Sequence, residues 1–260
     1  MEQDELLVQR DGDIVTLVLN RPHKLNAMTK TLWQALGDAV LAADADDSVR
    51  AVVLRGAGGK SFSPGNDIAE FETQRSNVEQ ARAYGAIMHR TLSALRDCRH
   101  PTLALIEGIC VGGGMEIAAT CDLRICGEGS RFGAPIKNLG LVMAYPEIEA
   151  LLRLVGRAAA LEILLEGRVF GAQEAKEKGL VTRIVPDADV EKESYEAARR
   201  MAEGAPLVAR WHKRFIDRLE RGGPLTEDDL EEGYACYGTE DFHIGRRAFL
   251  AKEKPKFVGR

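Results

Sequence analysis

The residues with the clearest chemical potential lie between 107 and 122, EGICVGGGMEIAATCD, where a strand-like run passes through three glycines into a helix-like one. Consecutive glycines let the backbone come close to a ligand, and the first N–H groups of a helix have no intrahelical acceptor. Those free donors, at the positive end of the helix dipole, suit a developing negative charge. Glu116 follows Gly113 by three residues, so a helix places its carboxylate on the same face as the Gly113 N–H. One turn can therefore offer a small molecule both a hydrogen-bond donor and a base. A second loop, SFSPGNDI at 61–68, bends at Pro64-Gly65 and can leave the Asn66 N–H pointing outward. Two main-chain donors converging on one oxygen form an oxyanion hole, in which each donor is worth roughly 3–4 kcal/mol. The plainer readings are a tight strand-to-helix turn with Glu116 complementing the dipole, and a turn in which Asp67 caps the segment that follows.

The surrounding pattern supplies elements to carry these loops. LLVQR and IVTLVLN, joined by Asp-Gly-Asp, predict a hairpin over 6–19. Behind Thr29, the apolar residues Leu32, Leu36, Val40 and Ala43 recur at helical spacing and predict a helix over 30–43. VRAVVLRG is a β-branched run closed by glycine and reads as a buried strand, followed by a glycine-rich loop, GAGGKSFSPGND. A helical stretch over 77–97, a strand at TLALIEG and a further strand at DLRIC come next; 146–155 and 172–178 read as helices, VTRIV as a strand, and the chain from 187 onward as almost wholly helical. This alternation predicts an α/β fold with layered sheets and a helical C-terminal segment. Gly222-Gly223-Pro224 marks a break between helices, and no linker divides the chain into independent folding units.

Composition narrows the function. The chain has 260 residues, is 45% hydrophobic and carries a formal net charge of −5. It can bury a substantial core, and it lacks the basic excess that holds nucleic acid. Five cysteines, at 98, 110, 121, 126 and 236, form no CxxC pair and predict reduced thiols in a cytoplasmic protein. The acidic N-terminus, MEQDELLVQRDGD, resembles neither a signal nor a transit peptide, so the mature chain is expected to start near Met1. No apolar run reaches the roughly 18–20 residues of a membrane span. GAGGKS lacks the first glycine of a phosphate loop, since Leu54 stands there, and no GxGxxG follows the first strand. The histidines at 23, 89, 100, 212 and 243 have no metal-ligand spacing, and Ser61 and Ser63 sit in no GxSxG elbow.

Taken together, LNRPHKLNAM, VRAVVLRGAGGKSFSPGNDI, PTLALIEGICVGGGMEIAATCDLRIC, RFGAPIKNLGL and RVFGAQEAKEKGLVTRIV resemble the crotonase superfamily, the enoyl-CoA hydratase/isomerase family, along nearly the whole chain. The resemblance implies a crotonase-like spiral of repeated β-β-α units over 1–200. It also implies a helical segment over 201–260 that covers the site and assembles a homotrimer or homohexamer. It implies that Asn66 and Gly113 donate the oxyanion-hole N–H groups to an acyl-CoA thioester oxygen, with Glu116 as the acid/base. Lys24 and Leu25 fall where the family cradles the adenosine of CoA, and Asp67 and Ile68 where it lines the pantetheine path. Lys254 and Lys256 are weaker candidates for the CoA phosphates. No cofactor is expected, because coenzyme A enters as part of the substrate.

The pattern is broken at one position. Hydratases of the family usually carry a second glutamate after the proline of FGxPE, and here FGAPIKNLG puts Ile136 there. Isoleucine cannot activate water, which weakens hydration and leaves isomerisation by a single carboxylate intact. Tyr145 and Glu147, in LVMAYPEIEA, fall near the mouth of the expected site, although Glu147 with Glu149 also reads as the acidic first turn of a solvated helix. Decarboxylation, with Asn66 recognising a carboxylate, and a non-catalytic scaffold that holds CoA esters are the alternatives.

Overall fold

A computed structural model describes residues 4–260; the expectation about the start of the mature chain falls on residues outside these. The chain runs β1 (Leu6–Asp11), β2 (Ile14–Leu19), α1 (Lys30–Ala45), β3 (Ala51–Gly56), β4 (Ser61–Ser63), α2 (Phe71–Gln74), α3 (Val78–Asp97), β5 (Thr102–Ile106), β6 (Ile109–Val111) and α4 (Gly113–Thr120). It continues through β7 (Leu123–Gly127), β8 (Arg131–Gly133), α5 (Tyr145–Glu166), β9 (Val169–Gly171), α6 (Ala172–Glu177) and β10 (Arg183–Val185). Four helices close it: α7 (Val190–Ala202), α8 (Pro206–Glu220), α9 (Glu227–Glu232) and α10 (Glu240–Ala251).

Two sheets form. The larger has the order β1-β2-β3-β5-β7-β10 and is parallel apart from the β1–β2 hairpin. Its central strands are buried on both faces, which is why they read as unbroken β-branched and leucine runs. The period of two then sorts side chains between two cores. Leu17, Leu19, Val52, Leu54, Ala104 and Ile106 join the larger core with α1, α3 and α4. Ala51, Val53, Leu103, Leu105 and Ile125 meet Val190, Ala197, Ala198 and Ala202 of α7 on the opposite face. At full burial each leucine-sized side chain contributes about 1.5–3 kcal/mol, so this sheet is the rigid frame.

The smaller sheet, in the order β4-β6-β8-β9, consists of three-residue strands. The sequence reading placed β4 inside a glycine-rich loop, because three residues show no periodicity. The pairing of β4 with β6 is parallel and brings the chain leaving Ser63 beside the chain leaving Val111.

The helices follow the expected caps, with two differences. Thr29 accepts a hydrogen bond from the Leu32 N–H and starts α1 as anticipated. The helix expected over 146–155 ends where Gly156 takes φ 71°, and the chain then resumes helix to Glu166. The chain is not helical to its end: the tail after α10 is extended and is pinned where the Asp241 carboxylate accepts from the Val258 and Gly259 N–H groups at 2.7 and 3.0 Å. Among the described residues no helix is long and apolar enough to cross a membrane.

Candidate active site

The two loops that leave the small sheet side by side build the site. Gly65 adopts φ 100°, a left-handed value open to glycine, and a Cβ there would stand 3.0 Å from the Gly113 nitrogen. The chain at Asn66 is held by Met28: the Met28 N–H donates to the Gly65 carbonyl and the Asp67 N–H donates to the Met28 carbonyl, both at 2.8 Å. In such a parallel bridge the peptide groups on either side of Asn66 face Met28, and the Asn66 N–H faces away. Across from it, β6 ends at Gly112, whose φ of 52° turns the chain into α4. Gly113 is the first residue of that helix, and its N–H has no intrahelical acceptor. The Asn66 nitrogen lies 3.7 Å from the point a Gly113 Cβ would occupy. Two main-chain donors from separate loops therefore lie together, and neither has a hydrogen-bond acceptor among the described residues.

Trp33, on α1, ties the two halves to each other. Its indole Nε1–H donates to Asn66 Oδ1 at 2.7 Å, and its Cζ2 lies 3.1 Å from where a Cβ of Gly113 would be. The sequence reading missed Trp33, which looks like an ordinary core aromatic at helical spacing. Its engagement of the Asn66 amide oxygen also occupies part of the side chain that a decarboxylase reading would use for a substrate carboxylate.

Glu116, in the first turn of α4, is 5% exposed and lines a cavity of about 830 Å³ together with Asn66 and Gly113. Its Oε2 is buried and has no hydrogen-bond partner among the described residues. Burial first, and the negative charge of Glu147 second, push its pKa up to about 8 against the opposing pull of Arg75, so at pH 7 the group is mostly a neutral acid. Glu147, in the first turn of α5, borders the same cavity. It is not the solvated residue suggested by its helical position. Its Oε2 accepts from the Ala144 N–H at 2.7 Å, which is half of a capping box, since Ala144 has no side-chain oxygen to return the bond. Its Oε1 lies 3.1 Å from His89 Nε2 on α3. Ile136 lines the wall where the usual second glutamate is missing.

The remaining expected residues are spread more widely. Ile68 lines the cavity and is largely exposed. Asp67 pairs with Arg21 at 2.9 Å and caps the Ala69 N–H. Burial alone would raise its pKa, but these two donors hold it below the ordinary carboxylate value. Lys24 and Leu25 form the end of a one-turn 3-10 segment before Met28 and are not part of the cavity lining. Tyr145 is 92% exposed and does not line the cavity, which its neighbours Ala144 and Glu147 border instead. Lys254 pairs with Glu203 at 2.7 Å, and together with Lys256 it borders a separate depression beside Arg50. Phe71, Arg75 and Met88 line the cavity without having been singled out in the sequence, where they carry no motif, and so does His89, which the sequence offered only as a histidine without metal-ligand spacing. Among the described residues no group of three or more His, Cys, Asp or Glu side chains could hold a metal ion.

A buried carboxyl next to two unsatisfied amides is the arrangement that comparison with known proteins can place. The model of the family described as enoyl-CoA hydratase/isomerase matches residues 9–260. The chain belongs to the enoyl-CoA hydratase/isomerase family. A crystal structure of an enoyl-CoA hydratase/carnithine racemase from Magnetospirillum magneticum is 46% identical to it, covering 100% of this chain and 97% of that one, with a TM-score of 0.97. An enoyl-CoA hydratase structure from Bacillus anthracis is 29% identical, covers 99% of this chain and 100% of that one, and has a TM-score of 0.92. The short-chain-enoyl-CoA hydratase of Clostridium acetobutylicum is 30% identical over 98% of this chain and 97% of its own. The fold is thus the crotonase fold, and the protein is an acyl-CoA-transforming enzyme of this family.

Proposed function

We propose that the enzyme adds water across the 2,3 double bond of an enoyl-CoA thioester, with Glu147 taking the part of the glutamate missing at 136. The observation that carries this reading is the pair of buried carboxyl groups, Glu116 and Glu147, bordering one cavity beside the free amides of Asn66 and Gly113. The amides receive the thioester oxygen. As water attacks C3, Glu147 accepts its proton, the π electrons move to C2 and on to the oxygen, and the amides hold the enolate. Glu116, neutral at pH 7, gives its proton to C2. The division of labour follows from environment: Glu116, buried without a hydrogen-bond donor to its Oε2, retains a proton to give, which leaves the accepting part to Glu147.

The family assignment supports the thioester substrate, with CoA brought by the substrate and no further cofactor. Lys24, Leu25, Asp67 and Ile68 are assigned to the approach of its CoA portion. Assembly as a homotrimer or homohexamer and cytoplasmic placement belong to the same reading, with exposed Phe249 and Leu250 of α10 offering an apolar contact face.

Ile136 in the cavity wall favours a second reading, double-bond isomerisation by Glu116 alone. Crotonyl-CoA hydration and 3-enoyl-CoA isomerisation, each assayed with the wild type and Glu147→Gln, separate the two. Hydration should fall at least ~10-fold in the variant, within the range for losing a general acid or base. Hydration by Glu147→Gln at the wild-type rate would remove Glu147 from the mechanism, and isomerisation by the wild type without hydration would leave the second reading.

A further inference from the structure

Arg75 follows α2 as its C-cap and lines the same cavity as Glu116. Its guanidinium carbon stacks over the rings of Phe71 and Tyr84, 4.7 and 4.8 Å from their centroids. That double stack fixes the plane of the group and leaves its edge donors free to meet a ligand. Its Nη1 is buried and has no hydrogen-bond partner, and Arg75 joins no ion pair among the described residues, although most of the surface arginines do. A charged donor sealed from water without an acceptor is costly, so a ligand that supplies an acceptor recovers that cost. The neighbouring carboxyl in the protein does not supply one, because Glu116 Oε2 is itself buried without a hydrogen-bond partner.

Much of the wall is apolar, with Phe71, Ala81, Ala86, Met88, Leu139 and Leu141, while Arg82, His89, Asn138 and Glu147 are polar residues that also line it. A methylene chain fits such a wall, and a planar guanidinium fork matches the two oxygens of a carboxylate. The phosphates of CoA are a poorer match, since they stay hydrated while Nη1 is shielded from solvent.

We propose that Arg75 binds a carboxylate carried by the acyl chain, so that the preferred substrates are CoA thioesters of dicarboxylic acids. This specificity rests on the thioester reading above, and the test is chosen to separate the two. Hex-2-enoyl-CoA and 5-carboxypent-2-enoyl-CoA have acyl chains of equal length and differ in ending in a methyl or a carboxylate. The wild type should favour the carboxylate ester at least ~10-fold in kcat/KM. Arg75→Met should lower that ratio by about 100-fold, as expected for removing one member of a desolvated charge pair, and Arg75→Lys should restore part of it. Calorimetric binding of the saturated esters, hexanoyl-CoA and 5-carboxypentanoyl-CoA, should show the same preference without any turnover.

Equal kcat/KM and equal affinity for the two wild-type pairs would overturn the proposal, and need no variant that folds. So would a shift in the pH profile of Arg75→Met, the same for both substrates, with an unchanged ratio; in that case Arg75 acts only as a countercharge to Glu116. A carboxylate preference in binding with no turnover of either enoyl ester would support the role of Arg75 and refute the proposed reaction instead.

Discussion

Two helices of this enzyme, α4 and α5, each present a glutamate from the first turn toward one cavity, and the two residues are treated oppositely. Glu147 sits where such residues usually do useful structural work, with one oxygen closing the N-terminus of its own helix and the other at His89. Glu116 also lies in the first turn, one position further along its helix, and its Oε2 receives nothing. A first-turn carboxylate is ordinarily stabilised in its charged form by the helix N-terminus. Around Glu116 burial outweighs that benefit, and the proton stays on at neutral pH. The difference teaches that an acidic residue at a helix start is read by its partners: a capped one is held in place, and an uncapped buried one is poised to exchange a proton.

The contrast can be broken most directly at Glu116. Glu116→Gln keeps the shape and deletes the exchangeable proton, and kcat/KM on an enoyl-CoA should fall by about 10²–10⁴-fold with the fold retained; full activity would end its role as acid. The same substitution sharpens the electrostatic side. Because the folded pKa of Glu116 is raised from 4.5 to about 8, its contribution to stability is fully present below pH 4.5 and is lost as pH rises through 8. Wild type should therefore lose stability relative to Glu116→Gln across that window, by up to a few kcal/mol, in denaturant melts at pH 5 and pH 8.5. Parallel curves for the two proteins would mean that the carboxyl is not buried as described.

A smaller effect is expected when the helix start is altered without touching the acid. A Cβ at Gly113 would press on Trp33 Cζ2 at 3.1 Å and stand 3.7 Å from the Asn66 nitrogen, so Gly113→Ala crowds the space between the two donors. A loss of about 10–100-fold, mostly in kcat, fits partial removal of oxyanion stabilisation; an unchanged kcat would separate Gly113 from the oxyanion. The subtlest change is expected from Glu147→Gln in the pH profile. In hydration Glu116 must be protonated, so activity should decline as pH rises through about 8. Removing the neighbouring negative charge should move this limb to lower pH. A limb that stays in place would show that burial alone sets the Glu116 pKa.

Much of this was legible in the residues. The GGGMEIAATC run carried the donor, the acid and their common face, because an α-helix fixes the direction of residues three apart. The buried strands and the Thr29-capped helix declared themselves through period and cap. What failed to declare itself had no period. The strands β4, β6, β8 and β9 are each three residues long, too short to show alternation, and pair only because the large sheet brings them together. Tyr145 and Glu147 lie two apart on one helix, so they point in different directions, and the sequence could not say which faced inward.

The sequence by itself determined the family, the alternation of strands and helices, the two glycine-bearing loops and the absence of a carboxyl at Ile136. Local chemistry suffices for these, since they depend on glycine conformations, capping groups and the spacing of apolar residues. Only the tertiary structure decided that the Asn66 and Gly113 amides meet, that Trp33 holds them, that Glu147 turns into the cavity with His89, and that Arg75 is left there without a partner. Each of those depends on which surfaces are removed from water together, and residues far apart in the chain settle that jointly.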